Sequence, residues 1–224
     1  MLTAKDVGLR YPEGTQALKK IDLNMGAGEL LYIIGPSGSG KTSLLKLMMG
    51  MELPTEGSLE VLGQRIAAGN TAGIRKMRQQ LGPVFQEFRL IKGRTALENV
   101  MTGMRFLEGW QGNLKEEAAA VLVRVGLENK LQAMVDHLSW GECQRVAIAR
   151  AVVRKPKLIL ADEPTGNLDK ENALNILSLL NSFRSRETSV VITTHATHLI
   201  AQDPDIRVLR MEQGNMYWEK EGQV

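Results

Sequence analysis

The feature that most constrains this chain is a glycine-rich loop between two apolar segments. The loop fits the pattern G-x-x-x-x-G-K-[ST] and reads Gly35-Pro36-Ser37-Gly38-Ser39-Gly40-Lys41-Thr42. The apolar run before it, residues 29–34, predicts a buried strand, and the run after it, residues 43–49, predicts a buried helix. Backbone N–H groups of such a turn point at an anion, and the helix dipole adds positive charge. The order of strand, glycine-rich loop and helix predicts a phosphate-binding loop rather than a chance glycine-rich turn.

The side chains at the end of the loop carry the predicted chemistry. We expect Lys41 to reach the β- and γ-phosphates of a nucleotide and the Thr42 hydroxyl to bind Mg²⁺. Ser43 directly follows and is included among the predicted binding residues. The loop therefore predicts a nucleotide and Mg²⁺ as the bound groups.

A second apolar stretch, residues 158–161, ends in the acidic pair Asp162 and Glu163. Open α/β sheets bind ligands at the carboxyl ends of their strands. Asp162 is expected to hold Mg²⁺, directly or through water, and Glu163 to polarise the attacking water as a general base. Alone, the pair could be an ordinary acidic loop; beside a phosphate-binding loop, the catalytic interpretation is favoured.

The remaining pattern predicts an α/β fold. Residues 189–194 form a third apolar strand before His195, and a helix over 174–183 connects it to the acidic strand as a βαβ crossover. An antiparallel β region is predicted within residues 1–32, helices over about 96–150, and a closing hairpin with a Gly214-Asn215 turn.

Composition limits the classes of protein that fit. A length of 224 residues suits one domain, or one domain with an inserted subdomain, and a net charge of +3 is too small to argue for nucleic acid. The single cysteine, Cys143, excludes an intramolecular disulfide and suits a reducing cytosol. No apolar run reaches the roughly 18 residues of a membrane span, and residues 1–6 lack a signal-peptide layout. We therefore expect a cytoplasmic chain that meets a membrane only through a partner.

One further segment carries a family resemblance: Leu138-Ser139-Trp140-Gly141-Glu142-Cys143-Gln144-Arg145. It resembles the L-S-G-G-Q/E signature of ABC transporter nucleotide-binding subunits, and the other motifs follow in that family's order over essentially the whole chain. The resemblance implies a P-loop NTPase domain with an antiparallel β subdomain and an inserted helical subdomain. The implied division is a core with the β subdomain at about 1–85 and 156–224, and the helical signature subdomain at about 86–155.

The resemblance also implies roles for residues outside the two phosphate-site motifs. Tyr11 matches the aromatic residue that stacks on adenine, although the pattern alone favours a strand residue packing on a neighbour. Gln86 matches the glutamine that touches Mg²⁺ and water and senses the membrane subunit. Asp169 falls in the D-loop, and His195 matches the switch histidine that contacts the γ-phosphate.

In the family, the signature faces the γ-phosphate bound by another subunit. The resemblance therefore implies that Ser139, Gly141 and Glu142 help to enclose ATP in a head-to-tail homodimer, which closes on ATP and opens after hydrolysis. Trp140 departs from the pattern, since it replaces the first glycine. Its bulky side chain either crowds the composite site, which would lower the ATPase rate, or points away.

The stretch 162–169 is similar to the group that holds the cell-division ATPase FtsE, the lipoprotein-release ATPase LolD and the MacB exporter. Segments 85–90 and 149–156 favour an FtsE-like protein. This implies an ATPase that moves an integral, permease-like membrane partner, FtsX-like in cell division, from the cytoplasmic face of the inner membrane.

Alternative functions remain. One is lipoprotein release or export of the LolD or MacB kind; another, suggested by Trp140, is a nucleotide-gated binding module with negligible turnover. A role on DNA or ribosomes is disfavoured because the chain has neither a second phosphate loop nor a long heptad run. No nucleic-acid partner is therefore expected.

Overall fold

A computed structural model describes residues 1–105, 112–200 and 206–221. The strands within these ranges are β1 Leu2–Arg10, β2 Gln16–Met25, β3 Leu30–Ile34, β4 Glu56–Val61, β5 Gln64–Arg65, β6 Leu81–Val84, β7 Leu158–Asp162, β8 Ser189–Thr194, β9 Ile206–Glu212 and β10 Asn215–Lys220. The α-helices are α1 Lys41–Met48, α2 Thr71–Gln79, α3 Ala96–Thr102, α4 Leu114–Arg124, α5 Trp140–Val152 and α6 Lys170–Asn181.

The larger sheet has the strand order β10-β9-β3-β8-β7-β6, and all its pairings are parallel except that of β10 with β9. Strands β3, β7 and β8 are buried along their whole length. Continuous apolar strands are typical of a parallel sheet that is covered on both faces. Because parallel strands point the same way, the loops after β3, β6, β7 and β8 meet at one edge.

The second sheet is antiparallel, in the order β2-β1-β4-β5. It shares an apolar cluster with α1 and with one face of the larger sheet, to which β3 contributes Leu31 and Ile33. The alternate β3 residues Leu30, Tyr32 and Ile34 face the helices on the other side. Burial there raises the pKa of the Tyr32 hydroxyl to about 12.

Helices α3, α4 and α5 lie between β6 and β7 in the chain and pack against one another. Helix α5 also contacts β6 and α6, so one apolar cluster runs from these helices onto the sheet. The predicted α/β class, with an antiparallel region and helices inserted before the acidic strand, is confirmed. The division at residues 86 and 155 stays a prediction, since the apolar packing is continuous across it.

Several predicted boundaries differ from the structure, and two of the differences have a visible cause. Helix α6 begins at Lys170 rather than at residue 174, because the Asp169 side chain accepts a hydrogen bond from the Asn172 N–H and caps the first turn. The predicted Gly214-Asn215 turn is wrong by one residue. Gln213 and Gly214 form the turn, with φ of 48° and 82°, and Asn215 already belongs to β10.

Two leucines of α6 test the assignment of its buried face. Leu180 is fully buried, whereas Leu174 is 42% exposed. We expect Leu180→Ala to lower the free energy of unfolding by about 2–5 kcal/mol, because it removes a packed side chain and leaves a cavity. The control Leu174→Ala should change it by no more than about 0.5 kcal/mol. Denaturant unfolding measures both; equal losses would show that the face is wrongly assigned.

Candidate nucleotide-binding site

The phosphate loop, residues 35–42, connects the end of β3 to the first turn of α1. Its backbone has positive φ at three glycines: Gly35 at 147°, Gly38 at 76° and Gly40 at 107°. A Cβ atom at Gly35 would overlap the Met211 carbonyl oxygen, and one at Gly40 would lie 2.7 Å from the Ala17 carbonyl oxygen. The glycines of the motif therefore permit close packing against the neighbouring chain as well as the turn itself.

Lys41 is the first residue of α1, and its side chain is buried. Its ammonium donates to the carbonyl oxygens of Gly35 at 2.8 Å and Pro36 at 3.0 Å. It also pairs with Glu163, with 3.3 Å between Nζ and Oε1. The positive charge is thus held inside the curve of the loop, at the helix N-terminus, where an anion is electrostatically favoured.

The carboxylate of Asp162 joins three elements of the fold. Its Oδ1 atom accepts a hydrogen bond from the Thr42 hydroxyl of α1 at 3.1 Å. The same atom accepts a second from the Thr193 hydroxyl of β8 at 2.7 Å. Asp162 and Thr193 are register partners in the parallel pair of β7 and β8. A buried carboxylate is stabilised here by two hydrogen bonds.

The carboxylate of Glu163 lies between two nitrogen-bearing side chains. One oxygen pairs with Lys41, and the other is 2.9 Å from His195 Nδ1 and accepts from the His195 backbone N–H at 3.3 Å. The backbone of Glu163 has φ of 44°, in the left-handed region, and its N–H donates to the Thr193 hydroxyl at 3.0 Å. Such a backbone persists only where its surroundings hold it, and it is enriched at functional sites.

A cavity of about 770 Å³ lies over these groups. It is lined by Tyr11, residues 36–43, Gln86, Glu163 and His195, among others. Tyr11 directly follows β1, and its hydroxyl is 3.1 Å from the Ser43 hydroxyl, so the tyrosine is tied to α1. The structure therefore places side chains from five separate sequence motifs around one space, whose volume suits a small-molecule ligand.

The signature residues do not line this cavity. Ser139 is exposed and caps α5: its hydroxyl accepts from the Glu142 N–H at 3.3 Å, and its own N–H donates to the Glu142 carboxylate at 2.8 Å. That backbone hydrogen bond is the main reason why the pKa of Glu142 is lowered, and Lys130, 3.2 Å away, adds to it. Ser139 and Gly141 thus begin a helix on a different surface of the chain.

Asp169 is also outside the cavity and exposed. Its carboxylate accepts from the Asn172 N–H at 2.9 Å and from the Asn172 side-chain amide at 2.6 Å. These bonds, the backbone one first, lower the pKa of Asp169. Within its own chain the residue acts as a helix cap.

Thr193 is a site residue that sequence reasoning missed. It lies inside an apolar strand and belongs to no loop motif, and only the register of β8 against β7 brings its hydroxyl to Asp162. The signal that could have identified Thr193 is that it is a polar residue near the carboxyl end of a buried strand, where ligands bind.

Comparison with known proteins decides the family. The family described as ABC transporter matches residues 18–166. The chain belongs to the ABC transporter family. It is an ATPase of the ABC type, and it binds ATP.

Relatives and a solved structure agree with this assignment along nearly the whole chain. The cell division ATP-binding protein FtsE of Haemophilus influenzae is 41% identical over 215 residues, which cover 96% of this chain and 98% of the relative. The lipoprotein-releasing system ATP-binding protein LolD of Psychrobacter arcticus is 41% identical over 225 residues, 98% of each chain. The ATP-binding cassette MJ0796, solved as a dimer in a post-hydrolysis state bound to ADP and Pi, is 32% identical, with a TM-score of 0.89 over 100% of both chains.

The role of Thr193 can be tested with two substitutions. Thr193→Val keeps the shape but removes the donor to Asp162, so we expect a loss of about 1–3 kcal/mol in the free energy of unfolding together with slower ATP turnover. Thr193→Ser keeps the hydroxyl and should retain most of the turnover. Denaturant unfolding and phosphate release measure the two effects. Equal turnover in both variants would contradict a positioning role for the hydroxyl.

Proposed function

We propose that this chain is the ATP-hydrolysing subunit of a membrane complex, that it dimerises head to tail on ATP, and that it drives conformational change in a membrane partner. The observation that carries the proposal is the cavity that brings Tyr11, the phosphate loop, Gln86, Glu163 and His195 together. Each of these groups matches a need of ATP hydrolysis.

ATP binding would use two parts of the cavity. The Tyr11 ring stacks on adenine, while the loop N–H groups and Lys41 hold the β- and γ-phosphates. Ser39 supports this placement, since its buried hydroxyl oxygen lacks a hydrogen-bond partner among the described residues. Phosphate oxygens would compete with Glu163 and the loop carbonyls for the Lys41 ammonium, and would thereby free the Glu163 carboxylate.

The residues present fit Mg²⁺. The Thr42 hydroxyl and the Asp162 carboxylate are oxygen ligands 3.1 Å apart beside the phosphate loop, and Gln86, whose side chain carries an amide oxygen, lines the same cavity. Mg²⁺ prefers oxygen ligands and is usually bound by one or two protein groups together with substrate phosphates. Its chemical contribution when bound is to offset the charge of the phosphate oxygens.

Hydrolysis is assigned to Glu163 and His195. Glu163 takes a proton from a water molecule as the water oxygen bonds to the γ-phosphorus, while the bond from that phosphorus to the bridging oxygen of ADP breaks. His195 holds the Glu163 carboxylate at 2.9 Å and, as the switch histidine, contacts the γ-phosphate. Gln86 helps to orient the water.

The positions of the residues outside the cavity support the proposed dimer. Ser139, Gly141, Glu142 and Asp169 lie away from the chain's own cavity, so any contact they make with ATP requires a second copy. The exposed N-terminus of α5 offers N–H groups for the γ-phosphate held by that copy. The dimeric state named for the MJ0796 structure supports this arrangement.

The favoured membrane role is FtsE-like, in cell division, with an FtsX-like permease partner at the cytoplasmic face of the inner membrane. The FtsE relative at 41% identity supports it. The LolD relative, also at 41%, supports lipoprotein release as the second candidate. No helix among residues 1–105, 112–200 and 206–221 is long and apolar enough to cross a bilayer.

Glu163→Gln tests the catalytic assignment. The amide keeps the shape but cannot take a proton, so we expect turnover to fall by about 10²–10⁴-fold and an ATP-bound dimer to accumulate with Mg²⁺. Phosphate release and size-exclusion chromatography with light scattering measure the two effects. The control is Glu60→Gln, an exposed acid on β4 that should leave both unchanged. Hydrolysis by Glu163→Gln at the wild-type rate would show that another group is the base.

The same variant tests the membrane role. With ATP and Mg²⁺, Glu163→Gln captured from detergent-solubilised native membranes should bring a small membrane protein with an extracytoplasmic domain, identified by mass spectrometry together with division components. Recovery of a lipoprotein-release or exporter permease would instead support the LolD or MacB alternative. Recovery of ribosomes or DNA without a membrane protein would overturn the proposed membrane complex.

A further inference from the structure

Trp140, the residue that departs from the signature pattern, contacts two other segments of its own chain. Its ring packs edge-on against Phe88, with the centroids 4.5 Å apart and an interplanar angle of 61°. Its indole N–H donates to the Gly166 carbonyl oxygen at 2.9 Å. The side chain is 43% exposed and does not line the nucleotide cavity. The Trp140 side chain therefore lies outside the ATP site of its own chain.

Both residues that Trp140 contacts are close in sequence to residues of the nucleotide site. Phe88 lies two residues after Gln86, which lines the cavity. The Phe88 N–H donates to the Phe85 carbonyl oxygen at 3.0 Å. Gly166 itself lines the cavity, and its N–H donates to the Glu163 carbonyl oxygen at 3.1 Å. The indole therefore joins the signature helix to the two segments that carry Gln86 and Glu163.

The Phe88 segment is also fixed from the other end of α5. Phe88 and Arg89 have φ of 55° and 50°. The Arg150 guanidinium donates to both of their carbonyl oxygens at 2.5 Å. Trp140 and Arg150 are about 15 Å apart along the helix at the usual rise per residue. Residues near both ends of α5 contact this segment. A displacement of the segment must therefore move the helix or break one of these contacts.

We propose that Trp140 is a positioning residue that couples the chain's own nucleotide cavity to its signature helix. A shift at Gln86 or Glu163 on ATP binding is passed through Phe88 and Gly166 to the indole. The indole then sets the orientation of Ser139 and Gly141 toward the γ-phosphate on the second copy. This inference rests on the proposed function, because the signature acts only in the ATP-bound dimer.

The test compares Trp140→Gly, which removes both contacts, with Trp140→Phe, which keeps a ring against Phe88 but loses the N–H donor. We expect kcat to fall about tenfold in Trp140→Gly and by less in Trp140→Phe, from loss of an aromatic pair and a hydrogen bond. The ATP dissociation constant, measured by calorimetry at protein concentrations where the chain is monomeric, should change by less than about twofold, since Trp140 is outside the cavity. In the Glu163→Gln background, the same substitutions should weaken ATP-dependent dimerisation.

A double-mutant cycle separates coupling from general destabilisation. Phe88→Leu removes the same ring contact from the other side, so Phe88→Leu with Trp140→Gly should lower kcat no further than Trp140→Gly alone. The control Tyr217→Ala removes a 53% exposed aromatic residue on β10 and should leave kcat unchanged. Circular dichroism confirms that each variant is folded before its kinetics are compared.

The outcomes distinguish the two proposals. If folded Trp140→Gly and Trp140→Phe match the wild type in kcat and dimerisation, or if the Phe88 and Trp140 effects simply add, the positioning role is wrong while the ATPase proposal stands. If the wild type itself hydrolyses no ATP and Glu163→Gln forms no ATP-dependent dimer, the proposed function fails first.

Discussion

The hydrogen-bonded carboxylate of Asp162 is the contact on which the arrangement of the site depends. It accepts one hydrogen bond from the Thr42 hydroxyl, in the first turn of α1, and one from the Thr193 hydroxyl of the adjacent strand β8. A buried carboxylate without such donors would be costly. One side chain therefore links the phosphate loop, the acidic strand and the histidine-bearing strand, in addition to the pairing of the strands in the sheet.

The same sheet edge explains why Glu163 lies between a lysine and a histidine. Strand β8 lies between β3 and β7, so the residues that follow these three strands meet around one carboxylate. The left-handed backbone of Glu163 turns its side chain toward the phosphate loop rather than along the strand. The unusual backbone conformation thus helps to orient the Glu163 carboxylate, which we assign as the catalytic base.

The signature helix is organised differently. Its first turn is stabilised within the chain, through the reciprocal bonds of Ser139 and Glu142 and through the indole of Trp140, while it contributes nothing to its own cavity. The N-terminus of this helix can perform its proposed function only when it contacts the nucleotide bound by a second copy of the chain. The same contacts that stabilise it also connect it to the segments around Gln86 and Glu163.

The sequence by itself determined the phosphate loop, the acidic strand end, the α/β class and the family, because each depends on local patterns that can be read over a few adjacent residues. It placed the hairpin turn one residue too late, since Gly214-Asn215 and Gln213-Gly214 are both acceptable turn pairs locally. Only the tertiary structure decided that Thr193 holds Asp162 and that Trp140 reaches Phe88 and Gly166. Those contacts depend on strand register and helix packing between residues 26 to 52 positions apart, which no local pattern encodes.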